Sequence, residues 1–202
     1  MKHLKILGLA AVAAAALMAF AGAGTASADE LCTEAANAEN MCPAGKQITT
    51  VTYSEVGTTR LKLTGGSTAA SCTGGSIDVT TTGGNGTGSA AITGTVNNME
   101  FSGCSTTVDT VAGGTLKGEA GAGGGTTLTS IGAEWTLQLF GVSCTYGTGT
   151  GVDLGEMNAS GELPTFSKSL IKVAGGGLCP ATFVWEGFFK ATNHTAVHYV
   201  SN

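Results

Sequence analysis

The stretch Ile131-Gly-Ala-Glu-Trp-Thr-Leu-Gln-Leu139 contains the clearest structural pattern in the chain. Its odd-numbered positions are all apolar, whereas its even-numbered positions are Gly, Glu, Thr and Gln. Alternation with a period of two is typical of a β-strand with one face in the core and the other in solvent. We therefore predict a strand over 131–139 that directs Ile131, Ala133, Trp135, Leu137 and Leu139 inward.

The apolar positions change parity directly after this stretch, to Phe140, Val142 and Cys144. One inserted residue in a strand has this effect, and glycine is frequent at such sites. We therefore predict a β-bulge at Gly141.

The rest of the chain consists of Thr- and Val-rich segments between glycine clusters, which predicts short strands and turns. A second clear strand is predicted over 183–190, where Phe183, Trp185 and Phe189 share one face. Weaker patterns predict strands at 49–55, 59–64, 76–81, 90–96, 99–103, 126–130, 170–173 and 196–200.

Helix-forming patterns are nearly absent after the first 28 residues. We predict an all-β fold, a single two-sheet sandwich or jelly-roll-like domain. Disorder is the alternative for a chain with 33 glycines, but alternating apolar faces and only 11% charged residues favour a folded core.

The first 28 residues have the organisation of a cleavable signal peptide. Lys2 and Lys5 precede an apolar run, and Ala26-Ser27-Ala28 provides a small-x-small cleavage site before Asp29. The alternative is a transmembrane anchor, but the apolar run is shorter than the roughly 20 residues that a spanning helix needs. We predict a secreted protein, free or associated with the cell surface, with no membrane insertion after cleavage.

All six cysteines lie after the predicted leader, at Cys32, Cys42, Cys72, Cys104, Cys144 and Cys179. An even number of cysteines in an exported chain indicates disulfides. Structural zinc usually requires closer pairs such as C-x-x-C, and the nearest cysteines here are ten apart. Fifteen pairings are possible.

We predict the sequential pairing, Cys32 with Cys42, Cys72 with Cys104, and Cys144 with Cys179. The first bridge would clip residues 29–46 into an N-terminal loop, followed by the β-sandwich domain at 47–202.

The predicted mature chain is acidic, because Lys2 and Lys5 belong to the leader and seven basic residues then face 14 acidic ones. No basic cluster offsets this charge. Binding to nucleic acid or to an anionic membrane surface is therefore not expected.

No segment matches a nucleophile elbow or a phosphate-binding loop. His194 and His198, the histidines of the mature chain, could form a metal set with Glu186, but two histidines near a C-terminus are more often exposed. We predict no catalytic residue, no metal site and no cofactor.

A second oxygen-rich segment contains Asp153, Glu156 and Asn158, which could offer ligands to calcium. Turn formation is the simpler interpretation, since Asp and Asn are common in turns. This segment is therefore not predicted to bind metal.

Several phrases around the cysteines together resemble a group of exported, Gly/Thr-rich, uncharacterised proteins of soil actinobacteria. The resemblance implies a shared fold and carries no chemistry. A fainter likeness, at the stretch ending in Phe101-Ser-Gly-Cys104, is to the exported alkane-oxidation activator proteins of pseudomonads. The phrases are Ala10-Ala11-Val12-Ala13, Phe101 to Cys104, Cys144 to Gly151 with Asp153-Leu154-Gly155, Gly177-Leu178-Cys179-Pro180, and Trp185.

The leading functional hypothesis is a non-enzymatic structural β protein, such as a subunit of an extracellular matrix or fibre, which would self-associate or bind cell-surface components. The alternative is an extracellular binding module for carbohydrate or another ligand. Exposed coplanar aromatic side chains would favour the binding module. An uncovered edge strand would favour the structural subunit, and histidines with acids in a cleft would indicate an enzyme.

Overall fold

The computed structural model describes residues 29–38, 40–63, 66–82, 91–122 and 125–201, so the predicted leader lies outside the described residues. Within these ranges the chain forms fifteen strands and no α-helix. The described ranges therefore contain no helix that could span a membrane. The strands are β1 Glu30–Cys32, β2 Thr50–Glu55, β3 Thr59–Leu63, β4 Thr68–Cys72, β5 Gly74–Thr82, β6 Ile92–Ser102, β7 Val108–Ala112, β8 Thr115–Ala120, β9 Thr126–Ile131, β10 Glu134–Leu139, β11 Val142–Gly147, β12 Val152–Met157, β13 Glu162–Ala174, β14 Thr182–Ala191 and β15 His198–Val200.

Thirteen of these strands form one large curled sheet, and β1 pairs with β15 in a small second sheet. The main path through the large sheet runs β12-β9-β8-β6-β5-β2-β14-β13-β11-β10-β7, while β3 pairs with β14 and β4. The sheet curls so that its first strand, β12, lies beside β13, and Lys168 Nζ approaches Asp153 Oδ2 to 3.6 Å. The structure confirms the predicted all-β, sandwich-like fold with two sheets.

The core lies between the inward faces of the curled sheet and is dominated by aromatic side chains. Trp135 and Trp185 are each 1% exposed, and their rings pack with centroids 4.9 Å apart. Phe166 meets Trp185 edge to face at 4.7 Å. Two cavities inside the core are about 20 Å³ each, room for little more than one water molecule.

The predicted strand over 131–139 is divided between two strands. Ala133, Trp135, Leu137 and Leu139 face the core as predicted, but Ile131 ends β9 and is only half-buried. Gly132, with a φ of +68°, turns the chain between them. The division arises because β9 pairs with β8 and β12, whereas β10 pairs with β11 and β7.

The predicted bulge at Gly141 is wrong, because this glycine lies in a two-residue hairpin turn. Leu139 pairs with Val142, and the intervening Phe140 and Gly141 have φ values of 52° and 78°. Two successive positive φ values are typical of a type I′ turn, whose twist matches that of the flanking strands. A two-residue turn places Leu139 and Val142 on the same face, and this explains the change of parity.

The predicted strand over 183–190 corresponds to β14, with Phe183, Trp185 and Phe189 buried. The separate predictions at 90–96 and 99–103 correspond to one strand, β6. Among the described residues, six strands were not predicted: β1, β4, β7, β8, β11 and β12. Apart from β11, they lack the strict alternation of apolar and polar residues on which the clearest strand predictions depend.

All six cysteines form disulfides: Cys32–Cys42, Cys72–Cys104 and Cys144–Cys179. The bridges therefore join cysteines that are neighbours along the chain. Most of the described part of segment 29–46 is a loop, but it contains β1, in which Leu31 and Cys32 are buried. The first bridge thus ties this loop to a strand of the small sheet.

Candidate functional site

Strands β6 and β8 begin as sheet neighbours and then separate. Ile92–Thr95 pairs with Thr115–Gly118, and the last bond runs from the Val96 N–H to the Gly114 carbonyl at 3.1 Å. Strand β7, which precedes Gly113 in the chain, pairs with β10 and not with β6. The strands β6 and β7 therefore diverge and leave a groove between them.

One cause of this separation is a β-bulge at Asn97. Asp78 pairs with Asn98 and Val79 with Val96, so Asn97 is an extra residue in β6. A bulge bends its strand and interrupts pairing. The bend lies where β6 leaves β8.

The second cause is the pair Gly113-Gly114. A Cβ atom at position 113 would lie 2.7 Å from the Val96 carbonyl oxygen, and one at position 114 would lie 2.2 Å from the Ile131 carbonyl oxygen. Gly114 also has a φ of +71°, which other residues rarely adopt. These two glycines allow the backbone of residues 113–114 to lie close to Val96 and Ile131. The preceding strand, β7, diverges from β6 at this close contact.

The resulting groove has a volume of about 720 Å³ and follows six residues of β6, Asn97–Ser102, opposite β7. Six extended residues span roughly 20 Å. Gly75 and Ser76 of β5 complete the lining beside β6. At the far end, the loop after β6 is tied to β4 by the Cys72–Cys104 bridge and by a 2.8 Å bond from the Ser105 N–H to the Ser71 carbonyl.

The base of the groove is apolar and continuous with the core. Met99 is buried and Phe101 is half-buried. Below them, the Trp135 Nε1–H donates to the Met99 sulfur at 3.0 Å, and the Trp135 ring centroid lies 6.4 Å from that of Phe101. The two lining side chains therefore rest on a tryptophan of the core.

The rim of the groove is polar and acidic. Glu100 and Asp109 are exposed on opposite strands, and Asn97 and Asn98 contribute amides. No Lys, Arg or His is among the lining residues. The local potential therefore favours a cation.

Backbone groups on the edge of β6 point into the groove. The Thr110 hydroxyl donates to the Met99 carbonyl at 2.7 Å, so this carbonyl is directed toward β7. Because backbone groups alternate between the two sides of a strand, the N–H and C=O of Phe101 point the same way. No described strand pairs with Phe101 on this side, and β7 itself pairs only with β10.

A buried carboxyl group lies beside the groove. Glu55 pairs with the inward-facing Phe189, so its side chain is also directed inward. Both carboxyl oxygens are buried, and neither they nor the nearby Thr59 hydroxyl form a hydrogen bond of good geometry. Burial raises the pKa of the Glu55 carboxyl above its ordinary value of 4.5, and the proximity of Thr59 offsets part of this rise.

Gly75 connects this carboxyl group to the groove. The position that a Gly75 Cβ would occupy is 3.3 Å from Glu55 Oε2 and also 3.3 Å from Phe101 Cδ1. Gly75 and Phe101 both line the groove. The carboxyl group therefore lies behind the groove wall, next to the Phe101 ring.

The histidines and the acid considered at the sequence level do not come together. His194 Nε2 lies 2.8 Å from the Thr50 carbonyl, and Glu186 pairs with Lys62 at 2.6 Å. Among the described residues, one group of three possible ligand side chains lies within 4.8 Å, namely Glu30, Cys32 and Cys42. Its two cysteines are joined in a disulfide, so their sulfurs are not free to bind metal.

In the oxygen-rich segment 153–158, Asp153 and Glu156 lie in β12, whose register with β9 shifts between Asp153 and Gly155, and Asn158 precedes the turn that follows the strand. Asp153 Oδ1 accepts the Gly155 N–H at 2.8 Å, and Asn158 Oδ1 accepts the N–H groups of Ser160 and Glu162 at 3.0 Å. The turn interpretation therefore holds for Asn158, whereas it is wrong for Asp153 and Glu156, which belong to a paired strand.

The sequence predictions did not identify the groove, although part of its signal is present. Glu55 follows Val51 and Tyr53 at the same parity in a predicted strand, which places an acid on the inward face. Gly113-Gly114 indicates a break between two Thr-containing segments. No local pattern indicates that β7 pairs with β10.

No protein-family model matches the sequence, and the comparisons with curated proteins and with solved structures also gave no match. The resemblances named above therefore remain predictions.

Proposed function

We propose that this protein is a secreted, non-enzymatic β domain that binds an extended segment of an extracellular partner in the groove between β6 and β7. The observation that carries the proposal is an open groove between two strand edges. On one wall, the backbone groups of Phe101 are not paired with a strand, and on the other wall β7 pairs with a strand, β10, on one of its two sides only. Such edges bind extended peptides through main-chain hydrogen bonds, and neighbouring side chains supply specificity.

The distribution of aromatic side chains favours a peptide over a carbohydrate. Stacking on sugar rings requires exposed aromatic faces. Phe140 is the single exposed aromatic side chain in the described ranges, and it lies in the β10–β11 turn outside the groove lining. The described surface therefore offers no pair of coplanar aromatics.

A structural subunit remains the second candidate, favoured by the uncovered edge of β7, which can also pair with another copy of the chain, and by an apolar surface on β13. Ile171 is 54% exposed and Val173 is 47% exposed. They lie beside Gly149 and Gly147, whose hypothetical Cβ atoms would be 3.0 Å from Ile171 Cδ1 and 3.1 Å from Val173 Cγ2. Light scattering and electron microscopy of the mature protein test this candidate, and a Val173→Lys substitution should abolish any filaments that form through this surface.

Selection from a library of displayed decapeptides tests the groove. We expect the mature protein to enrich peptides that lose binding when alternate backbone nitrogens are methylated, because methylation removes the N–H groups that a strand edge requires. Val111→Trp places a bulky side chain in the groove lining and should abolish binding. Ser169→Trp, at an exposed position of β13 outside the groove lining, is the matched control.

Two results would contradict the proposal. One is the absence of any enriched peptide. The other is equal binding of the enriched peptides to the Val111→Trp and Ser169→Trp variants, which would locate the site elsewhere.

A further inference from the structure

We infer that the segment bound in the groove is basic, and that Glu55 is the buried partner of one of its Lys or Arg side chains. The inference rests on the proposed function, since it specifies the chemistry of the ligand at the same site. It is carried by the rim charge, by the buried Glu55 carboxyl and by the missing side chain at Gly75, between Glu55 and the Phe101 ring.

The rim and base of the groove together suit a basic side chain. Glu100 and Asp109 lie on opposite walls, and the lining contains no cation to neutralise them. Met99 and Phe101 form an apolar base between these walls. Lys and Arg combine an aliphatic stem with a charged head, so the stem can lie on the base while the head reaches a carboxylate.

Glu55 supplies the second, independent observation. An ionised carboxylate that is buried without a partner is costly, and the cost is removed when a cation or hydrogen-bond donors reach it. Both Glu55 oxygens are buried, and neither they nor the adjacent Thr59 hydroxyl form a hydrogen bond of good geometry. A cationic head at this position would satisfy the three oxygens.

Gly75 and Phe101 define the approach from the groove to Glu55. Gly75 has no side chain, and the position that its Cβ would occupy lies 3.3 Å from both Glu55 Oε2 and Phe101 Cδ1. The Phe101 ring therefore separates this position from the groove. Phe101 is half-buried, so a change in its side-chain rotamer is the movement that would open this path. Phe101 also contacts Trp135, and binding should therefore change tryptophan fluorescence.

Three synthetic decapeptides test the inference. They share a Thr/Ala sequence and carry Lys, Gln or Glu at alternate positions. Titration of the mature protein should give at least tenfold tighter binding of the Lys peptide than of the Gln peptide, and the Glu peptide should bind weakest. Added salt should reduce these differences.

Charge-reversal variants show whether the preference for the Lys peptide depends on the rim acids or on the net charge of the protein. The Glu100→Lys/Asp109→Lys variant should prefer the Glu peptide. The Glu34→Lys/Glu119→Lys variant has the same net charge, but its substitutions lie outside the groove lining. This control should keep the preference for Lys.

Glu55→Gln tests the buried partner. This substitution preserves the shape of the side chain, so we expect about a tenfold loss for the Lys peptide and little change for the Gln peptide. Gly75→Ala places a methyl group between the groove and Glu55, so it should also weaken binding of the Lys peptide.

The possible failures are distinguishable. Equal binding of the three peptides, with loss in the Val111→Trp variant, would overturn the inference about charge and leave the groove as a binding site. Equal loss of all three peptides in Glu55→Gln would show that Glu55 acts only on the fold, and would overturn its role as partner. Absence of binding by every peptide would count against the proposed function itself.

Discussion

At the scale of single residues, Glu55 and Phe140 each occupy a position that their side chains do not favour. Glu55 places a carboxyl group on the inward face of a strand beside Phe189. Phe140 adopts a left-handed backbone conformation while 69% of its surface is exposed. A bound partner would explain the first position, whereas the second is a property of the hairpin turn.

We expect Phe140→Asn to stabilise the protein. A left-handed conformation costs most L-residues about 1–2 kcal/mol, and Asn tolerates it better. Asn-Gly is also the preferred pair for a type I′ turn. Thermal unfolding should show a higher melting temperature, with a gain of about 0.5–1 kcal/mol.

Gly141→Ala is the matched control in the same turn. No heavy atom lies within 4 Å of the added Cβ, so its effect comes from the backbone conformation at φ +78°. It should destabilise the protein by about 1 kcal/mol. A loss of stability in Phe140→Asn would show instead that the Phe140 ring has a stabilising contact.

The stability effect of Glu55→Gln should depend on pH. Burial raises the pKa of Glu55 in the folded state, so the folded protein holds this proton more tightly than the unfolded chain does. Stability is therefore lost as the pH rises from about 4.5 through the raised pKa. The Gln variant should have a higher melting temperature than the wild type at pH 8 and nearly the same one at pH 4.

A lower melting temperature of the Gln variant at pH 8 would show that the ionised carboxylate has a stabilising partner in the fold. In the expected case, the wild-type residue reduces stability and supports binding. Glu55→Gln would then be more stable and less active toward a basic peptide.

At the scale of elements, β10 shows how one strand places its two faces in different environments. Trp135 is buried against Trp185, Phe101 and Met99. Thr136, on the opposite face, is half-buried and shares a 2.7 Å hydrogen bond with Thr145 of β11. The inward face contributes core packing, and the outward face contributes a cross-strand pair.

We expect the two faces to differ in the cost of truncation. Trp135→Ala should lower the free energy of unfolding by about 3–5 kcal/mol. Thr136→Ala removes one member of a cross-strand pair and should cost about 0.2–1 kcal/mol. Chemical denaturation of the two variants compares them directly, and equal losses would show that both faces of β10 are buried.

The strands show why sequence reasoning succeeded in some places and failed in others. Alternation over 183–190 reports burial on one face, so the prediction of β14 was confirmed. Alternation also continues across Gly132, where the chain passes from β9 to β10. Periodicity describes which side chains face inward, and it contains no information on which strands pair.

The groove illustrates the same limit. An alternating pattern predicted strands on both sides of Asn97, but a bulge continues the strand and redirects its edge. The inward position of Glu55 could be read from Val51 and Tyr53. Its proximity to Gly75 and Phe101 depends on the pairing of β2, β5 and β6, which is not encoded in any one segment.

At the scale of the whole molecule, three disulfides link segments separated by 10, 32 and 35 residues. Loops of these lengths stabilise a fold by about 2–4 kcal/mol each. We expect thiol labelling of the denatured, unreduced protein to find no free thiols. Two or more free thiols per chain would contradict this redox assignment.

We also expect the mature protein to begin at Asp29. The cleavage motif ends at Ala28, and the Tyr199 hydroxyl donates to Asp29 Oδ2 at 2.5 Å. N-terminal sequencing of secreted material tests this directly. A start beyond Cys32 would contradict the prediction, because it would remove the whole of β1.

The pairing of β1 with β15 has a consequence for the order in which the protein folds. Glu30 faces Val200, so β1 cannot pair until a strand synthesised about 170 residues later is available. Contacts of such long sequence separation slow folding, because much loop entropy is lost before they form. If the leader directs export as predicted, the chain cannot form its small sheet until β15 has crossed the membrane, and slow closure would keep it in the extended state that translocation requires.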